Sequence, residues 1–363
     1  MKKTIWGFLF AFLWMIQGFG QESAGKQERL LLELDYTGFF KNNEFFAQQA
    51  DGYTLTGNHL TPLLKYQLGN RATLSAGGHL RYYHGMDSLA EAAPFFNLHL
   101  KPNKAFSLIL GSYRVLDQHR LSRALMSDER RFTDYTQEGL RVRVNHEKLW
   151  MDAWIDWEKF IWHGDPFREQ FQAGFSGEWT FLASSSLSLS LHSQWIAGHK
   201  GGQIDDTERP VSTVLNTHHR LLFHHDFPPG FLNYGEISAG YFTYRDINGN
   251  APWAYDEGHA MQAEIELNLD PHSFAFGYFE AEKFIAPNGH PMFQTSNLYE
   301  PRKHFHELKM VHAGYNYSKQ FYEGLMLSFV AEGFYLTQQE SLHHSFELRA
   351  VLSRSFLLKA FGE

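Results

Sequence analysis

The chain holds 21 histidines and no cysteine, so any metal or catalytic site must be built from His, Asp, Glu and Ser. His304 and His306 lie two residues apart, and on a strand both would point to the same face and could reach one metal ion. No third ligand is fixed by the spacing, and histidine is also a common amphipathic wall residue. We therefore expect no cofactor, and the metal-binding alternative stays open.

Two dipeptides, His192-Ser193 and His225-Asp226, contain residue types that nucleophilic catalysis uses. Neighbours on a β-strand point to opposite faces, so neither pair forms a dyad by itself. The sequence nominates no catalytic residue, and we expect the protein not to be an enzyme.

One loop has the spacing of a calcium site. Asp246, Asn248, Asn250 and Glu257 occupy positions 1, 3, 5 and 12 of a calcium-binding loop. Position 6 should be glycine for the sharp turn but is Ala251. The four residues are candidate calcium ligands, and an Asx-rich hairpin loop is the alternative.

Most of these residues must be positioned by strands, because apolar and polar residues alternate along segments 170–179, 186–195 and 260–269. Strands of soluble sandwiches are typically ~5–6 residues long, whereas a tilted strand needs ~9–11 residues to cross a bilayer. The length of the segments predicts an all-β fold, a transmembrane antiparallel up-and-down β-barrel of about 16 strands, with 14 or 18 as alternatives.

Short turns rich in Gly, Pro, Asn and Asp alternate with long polar segments, among them 41–57, 115–135, 246–257 and 284–302. An even strand number places both termini at the short-turn end, which is periplasmic in outer-membrane barrels. The net charge of −8 excludes strong nucleic-acid binding.

The N-terminus resembles a secretory leader. Lys2 and Lys3 precede an apolar run over residues 5–16, and Gly18 and Gly20 follow as small residues before a cleavage site. We predict a signal peptide over 1–20 and a barrel over 21–363, with an uncleaved anchor as the alternative. The predicted location is the outer membrane of a Gram-negative cell.

The chain resembles the porin-like outer-membrane barrels of Bacteroidota. The resemblance is carried by the Lys-Lys leader with a Gln21 start, the His- and aromatic-rich strands, the phrases 41–46 and 154–160, and Phe361 near the C-terminus. It implies an outer-membrane location and no particular ligand, since members are often of unassigned function.

A barrel of about 16 strands is wide enough for an aqueous channel, so its inner wall should decide its function. The alternation predicts an inner wall with nearly balanced charges. The predicted pore-lining residues are Lys65, Arg81, Arg141, Arg143, Asp152, Asp156, Glu178, Arg220, Glu264, Glu266, Glu332, Glu347 and Arg349. A lumen filled by salt bridges is the alternative.

Loop 115–135 carries many charges between apolar residues. In sixteen-stranded porins, which the predicted barrel resembles in strand number, the third external loop folds inward and narrows the channel. The candidate constriction residues are Arg120, Arg123, Asp128, Glu129, Arg130 and Arg131. An exposed charged loop is the alternative.

We therefore predict a porin-like channel for passive, weakly selective diffusion of small hydrophilic solutes. One alternative is a structural or accessory barrel of a surface complex, and a second is a barrel-embedded hydrolase. The expected partners are outer-membrane lipid and small solutes but no nucleic acid. A homotrimer and surface-complex partners stay open.

Overall fold

The computed structural model describes residues 28–115 and 118–361. These form sixteen strands, with one short helix, α1 (Arg130–Thr133), and 3₁₀ turns at Gln118–Arg120 and Pro291–Phe293. The strands are β1 Glu28–Ala47, β2 Ala50–Leu68, β3 Ala72–Tyr83, β4 Glu91–Leu100, β5 Phe106–Arg114, β6 Thr136–His146, β7 Leu149–Lys159, β8 Gln170–Ala183, β9 Leu187–Lys200, β10 Ser212–Asp226, β11 Tyr234–Asp246, β12 Glu257–Leu269, β13 His272–Glu282, β14 Glu307–Tyr322, β15 Leu325–Leu336 and β16 Ser341–Phe361.

Every strand pairs antiparallel with its neighbours in sequence, and β1 pairs with β16 to close a barrel. The closing register runs from Glu28 opposite Phe361 to Glu44 opposite His344. The predicted all-β barrel of sixteen strands is confirmed, and the alternatives of 14 and 18 strands are wrong. Closure leaves no free sheet edge, because each backbone donor and acceptor row has a partner strand.

The period-2 pattern separates the two faces of the wall. On β10, Leu221 points outward and is 53% exposed, whereas Leu222 points inward and is 8% exposed. Large apolar side chains such as Ile237, Met261 and Ile265 are exposed on the outer face of the next strands. This apolar outer face requires an apolar surrounding, as in a barrel that lies in a bilayer.

The first hairpin is longer than the sequence analysis predicted. Segment 41–57 was expected to be a loop, but β1 and β2 continue through it and turn at Gln48 and Gln49. The polar run at 41–44 does not end the strand, since inward Lys41, Asn43 and Phe45 are buried against other parts of the chain. Tertiary contacts therefore override the turn-like composition.

Two long loops fold into the barrel at the end opposite the short turns, which we call the long-loop end. They are 115–135, after β5, and 284–302, after β13, and together we call them the plug. Most of their apolar side chains are buried against inward-facing residues of the wall. The plug contributes Leu121, Ala124, Leu125, Met126, Phe284, Ile285, Ala286, Met292 and Phe293 to this core.

The predicted signal peptide over residues 1–20 lies outside the described residues and stays a prediction. Within residues 28–115 and 118–361, no helix is long and apolar enough to cross a membrane.

Candidate functional site

The thirteen predicted pore-lining residues lie on strands and face the interior of the barrel, where many of them are paired. Arg141 and Asp152 are buried together, with Nη2 2.5 Å from Oδ2. Arg81 pairs with Glu91 at 3.1 Å and Lys65 with Glu33 at 2.5 Å. Ion pairs join neighbouring strands of the inner wall at these positions, as expected for the alternative of a lumen filled by salt bridges. Whether it also conducts solutes stays a prediction.

Loop 115–135 places its six candidate constriction residues against the inner wall or beside one another. Arg120 lies over the Trp150 ring, with its guanidinium carbon 4.1 Å from the ring centroid. Arg123 bonds to Glu332, and Asp128 accepts from Arg131 at 3.0 Å. The remaining contacts are Arg130 with Asn288 at 3.0 Å, Arg131 with Glu347 at 4.0 Å and Glu129 with Lys41 at 3.5 Å.

Lys41 is the cation at the centre of this cluster and is only 1% exposed. Its ammonium lies 3.5 Å from Glu129, 3.8 Å from Glu332 and 3.9 Å from Glu347. One carboxylate comes from the plug and two come from the wall. Lys41 therefore ties the plug to the wall electrostatically, in a region where water does not screen the charges.

A buried histidine anchors the same loop at its other end. The Nδ1 of His119 lies 3.0 Å from Asp152, and its Nε2 lies 2.9 Å from the amide oxygen of Gln137. Its ring stacks on Trp154 with centroids 3.6 Å apart. These contacts to the wall hold the loop in place, so we assign His119 a structural role.

Acidification should loosen the plug, with His290 as the sensor. Burial, and then the charge of Arg123, lowers the pKa of His290 from 6.5 to about 4. In a released loop His290 can bind a proton below pH 6.5, which it cannot do in the closed plug. The free energy that favours the closed plug therefore falls by about 3 kcal/mol between pH 6.5 and 4. Amide hydrogen exchange in 284–297, corrected for intrinsic rates, should accelerate strongly from pH 7 to 4.5.

The matched variant is His290→Phe, which keeps an aromatic ring against Phe334 but cannot titrate. It should remove most of that acceleration. Asp128 responds at lower pH: burial alone would raise its pKa, but Arg123 and Lys41 hold the pKa well below its usual range. An unchanged pH profile in His290→Phe would rule His290 out as the sensor.

The structure does not bring the four candidate calcium ligands together. The Asp246 carboxylate already accepts from the backbone amides of Asn248 and Ala251, at 3.1 and 2.6 Å. Asp246 faces inward, whereas Glu257 pairs with Arg245 on the outer face. Asn250 donates its amide to the Val211 carbonyl. The loop is thus an Asx-rich hairpin connection, and the described residues contain no group of three potential metal ligands.

A serine–histidine pair lies on the inner wall. Ser176 Oγ on β8 is 3.0 Å from Nε2 of His192 on β9. The other ring nitrogen, Nδ1, accepts from Arg220 Nε at 3.3 Å. Because arginine can only donate, His192 carries its proton on Nε2 and donates it to Ser176. This polarity is the reverse of what a general base needs, so the pair is structural.

A second serine–histidine pair lies on the outer wall. Ser193 Oγ on β9 is 3.0 Å from Nδ1 of His219, the residue directly across from it on β10. The indole N–H of Trp195 donates to the same Oγ at 3.3 Å. A serine hydroxyl can accept two hydrogen bonds and donate one, so when His219 carries its proton on Nε2, Ser193 donates its own proton to Nδ1. Ser193 is half-exposed and His219 is exposed.

Polar side chains continue from this pair across the outer wall. Tyr241 lies opposite His219, and its ring stacks near His259, with centroids 5.9 Å apart. His259 Nε2 is 4.0 Å from Glu282, whose other oxygen is 3.5 Å from His306. We call these six residues, Ser193, His219, Tyr241, His259, Glu282 and His306, the outer polar row. Because most of the outer face is apolar, a continuous row of polar side chains on it marks a candidate site.

Two adjoining cavities lie along this row. The larger has a volume of about 580 Å³ and is lined by Tyr241, Arg245, Glu257, His259 and Lys283, among others. The smaller, about 110 Å³, shares His259 and Glu282 with it and reaches Lys309. The Ser193–His219 pair thus lies beside a charged groove on the outer wall.

Sequence reasoning missed the outer pair because it considered only neighbours along one strand. His192 and Ser193 do point to opposite faces, as expected, but each finds its partner on an adjacent strand. Ser193 and His219 are 26 residues apart. The pair could have been found from the register between β9 and β10. That register can be predicted only when the first and last residues of the connecting loop are known.

Solved structures are similar to this chain in fold. OprD from Pseudomonas aeruginosa matches with 12% identity and a TM-score of 0.52, over 92% of this chain and 96% of that one. A loop L8 deletion mutant of OmpT, an outer membrane protein of Vibrio cholerae, matches with 10% identity and a TM-score of 0.52, over 90% and 99%. The predicted resemblance to outer-membrane barrels is confirmed, and the link to Bacteroidota stays a prediction. A comparison with curated protein sequences finds no match.

A family model described as lipid A 3′-O-deacylase-type matches residues 21–361. This description names an enzyme, so the prediction that the protein is not an enzyme is wrong. The sequence analysis considered only residue pairs next to each other along one strand, whereas strand pairing brings together residues far apart in sequence, such as Ser193 and His219.

Proposed function

Because the chain belongs to the lipid A 3′-O-deacylase-type family, we propose that it is an outer-membrane hydrolase that removes an ester-linked acyl chain from a lipid A-type glycolipid. The observation that carries this proposal is the outward-facing Ser193–His219 pair. A membrane lipid reaches the outer wall of a barrel by lateral diffusion, so a site for it belongs on that wall.

The same wall supports a location in the outer membrane. The apolar outer face and the barrel fold support insertion in the outer membrane, with both termini at the periplasmic side. The long-loop end then lies at the cell surface. The outer polar row runs from mid-strand at Ser193 toward the long-loop ends of β12 and β13, where headgroups meet acyl chains.

The proposed reaction is a two-step acyl transfer. Ser193 Oγ attacks the ester carbonyl carbon while His219 Nδ1 takes the hydroxyl proton. The carbon–oxygen bond to the sugar then breaks, and His219 returns the proton to the departing oxygen. Water, activated by His219, hydrolyses the acyl-serine. The products are a free fatty acid and a glycolipid with one additional hydroxyl group.

The charged groove is the proposed headgroup site. The outer polar row spans five strands, β9 to β13, or about 19 Å at the usual strand spacing, which suits a glycolipid larger than one sugar. The larger cavity is lined by two cations, Arg245 and Lys283, and two carboxylates, Glu257 and Glu282, so it offers partners for phosphate groups and for hydroxyls. His259 and Glu282 add hydrogen-bonding groups for hydroxyls.

The direct test is an activity assay. Purified, folded protein in detergent micelles is incubated with lipopolysaccharide, and lipid A is then analysed by mass spectrometry together with the released fatty acid. The expected result is a lipid A mass lower by one acyl chain, with an equal amount of fatty acid. If lipid A is intact after prolonged incubation with several lipopolysaccharide types, the hydrolase proposal fails.

A passive channel is the second candidate function, favoured by sixteen strands and by the mixed-sign inner wall. The plug opposes it in the closed state, because the interior of the long-loop end is packed with apolar side chains. Roles as a homotrimer or as an accessory barrel of a surface complex stay predictions.

Removing the inserted loop should decide the channel question. The wild-type protein in planar bilayers is expected to show little conductance, and replacing 118–132 by a short flexible linker should produce large, stepwise conductance. Shortening the 204–209 loop, which lies outside the plug, is the control and should leave conductance unchanged. A silent plug variant that is folded would contradict the channel.

A further inference from the structure

We propose that the cavity at the long-loop end of the barrel binds one neutral sugar unit. The cavity has a volume of about 220 Å³ and lies between the β1–β2 turn and the two plug loops. This is below the ~300–1,000 Å³ typical of sites for drug-sized ligands, so the occupant must be small. It is separate from the outer polar row, and the proposal does not depend on hydrolase activity.

Gln49, in the β1–β2 turn, is the first reason to expect a ligand. It lines the cavity and is only 1% exposed, yet neither its amide oxygen nor its amide nitrogen has a hydrogen-bond partner. A buried polar group left unpaired costs about 1–3 kcal/mol, and native structures contain few of them. One vicinal pair of sugar hydroxyls can accept from the nitrogen and donate to the oxygen at once.

The charges around the cavity indicate that this ligand is neutral. Arg130, the cation in the lining, is already engaged by Asn288 at 3.0 Å and by Glu158 at 3.6 Å, which disfavours an anion. Of the three carboxylates in the lining, Glu129 is paired with Lys41, Asp134 lies 3.9 Å from Arg130, and Asp51 accepts from Asn297 at 3.3 Å, so each already has a partner. What remains are acceptors and amides suited to hydroxyl groups.

The rim supplies the apolar surface that a sugar ring needs. Tyr299 lines the cavity and is 89% exposed, an unusual exposure for a large aromatic side chain. Pro287, Pro291 and Leu298 line the same cavity. A pyranose ring has one face of C–H groups, which packs on an aromatic ring while its hydroxyls face the amides. Aromatic surface beside amides and carboxylates therefore fits a neutral sugar.

The same chemistry could come from a free monosaccharide or from one glycosyl unit of a surface polysaccharide. The test uses full-length protein in detergent, titrated by calorimetry with methyl α-D-glucopyranoside, methyl α-D-galactopyranoside and L-rhamnose in one arm. Polysaccharide released from lipopolysaccharide by delipidation is the second arm. Saturable binding in the first arm alone indicates a free sugar, and binding only in the second indicates a glycan unit.

Two variants localise the binding. Gln49→Leu keeps the side-chain volume but removes both amide contacts, and Tyr299→Ala removes the exposed ring at little structural cost. Each should weaken the dissociation constant at least tenfold, while Tyr322→Ala, which removes an exposed tyrosine at the short-turn end, should not change it. Absence of saturable binding in both arms, or equal binding by wild type and both cavity variants, would overturn the proposal.

Discussion

Replacing Ser193 by alanine should abolish deacylation, with a loss on the order of 10³-fold or more in the rate of fatty-acid release. The reason is that no other hydroxyl lies within hydrogen-bond reach of His219 on the described outer wall. The barrel itself should be unaffected, because Ser193 is half-exposed and its loss removes only side-chain hydrogen bonds. The measurement is fatty-acid release from lipopolysaccharide over time, with His219→Gln expected to give a similar loss.

The matched control is Ser176→Ala. Ser176 makes a 3.0 Å contact with a histidine as well, but on the inner wall, where His192 donates to the serine hydroxyl. Its loss should leave the rate within about twofold. If Ser176→Ala abolishes activity and Ser193→Ala does not, the reaction takes place inside the barrel and the outer site is refuted. Unaltered activity in both variants would refute serine catalysis at either pair.

Replacing Lys41 by methionine should release the plug and lower stability by about 3–5 kcal/mol. Methionine fills a similar volume but removes the cation that Glu129, Glu332 and Glu347 share; Glu332 then keeps Arg123 and Glu347 keeps Arg131, while Glu129 loses its ion-pair partner. Removing one partner of a buried ion pair destabilises a protein by much more than the net stabilisation that the intact pair contributes. The expected results are a lower unfolding temperature in detergent and rapid proteolytic cleavage between residues 121 and 133.

Two further variants make this result interpretable. Lys303→Met removes a similar contact, 3.0 Å from Glu300, but both side chains are exposed, so no measurable change in stability is expected. Adding Glu347→Gln to Lys41→Met should restore part of the stability, because it removes one of the carboxylates that shared this cation. Equal stability of Lys41→Met and wild type would show that the plug is held by apolar packing alone.

The sequence alone predicted the wall with few errors. Alternation along β9 and β12 is enough to define strands, because a strand in a barrel between two different media must have one polar and one apolar face. The inward positions of Arg141 and Asp152 follow from the same rule. The count of sixteen followed from turn signals at one end of the strands and long polar segments at the other.

The errors lie where contacts distant in sequence decide the outcome. Segment 41–57 has the composition of a loop, but Lys41, Asn43 and Phe45 extend β1 because the plug buries them. The Asx loop at 246–257 matches a calcium spacing, yet Asp246 and Glu257 end on opposite faces because a hairpin, unlike a calcium loop, alternates its side chains.

Local periodicity is a property of neighbours along the chain. It therefore determined which residues face into the barrel and which face out, and it was enough to predict the barrel fold. It could not determine which outward serine meets which outward histidine, since that depends on the register between β9 and β10. Nor could it show that two loops, 115–135 and 284–302, would meet inside the barrel. Only the tertiary structure decided those outcomes. A closed barrel brings segments that are distant in sequence into one interior, and it fixes a register between strands that cannot be read from their connecting loops.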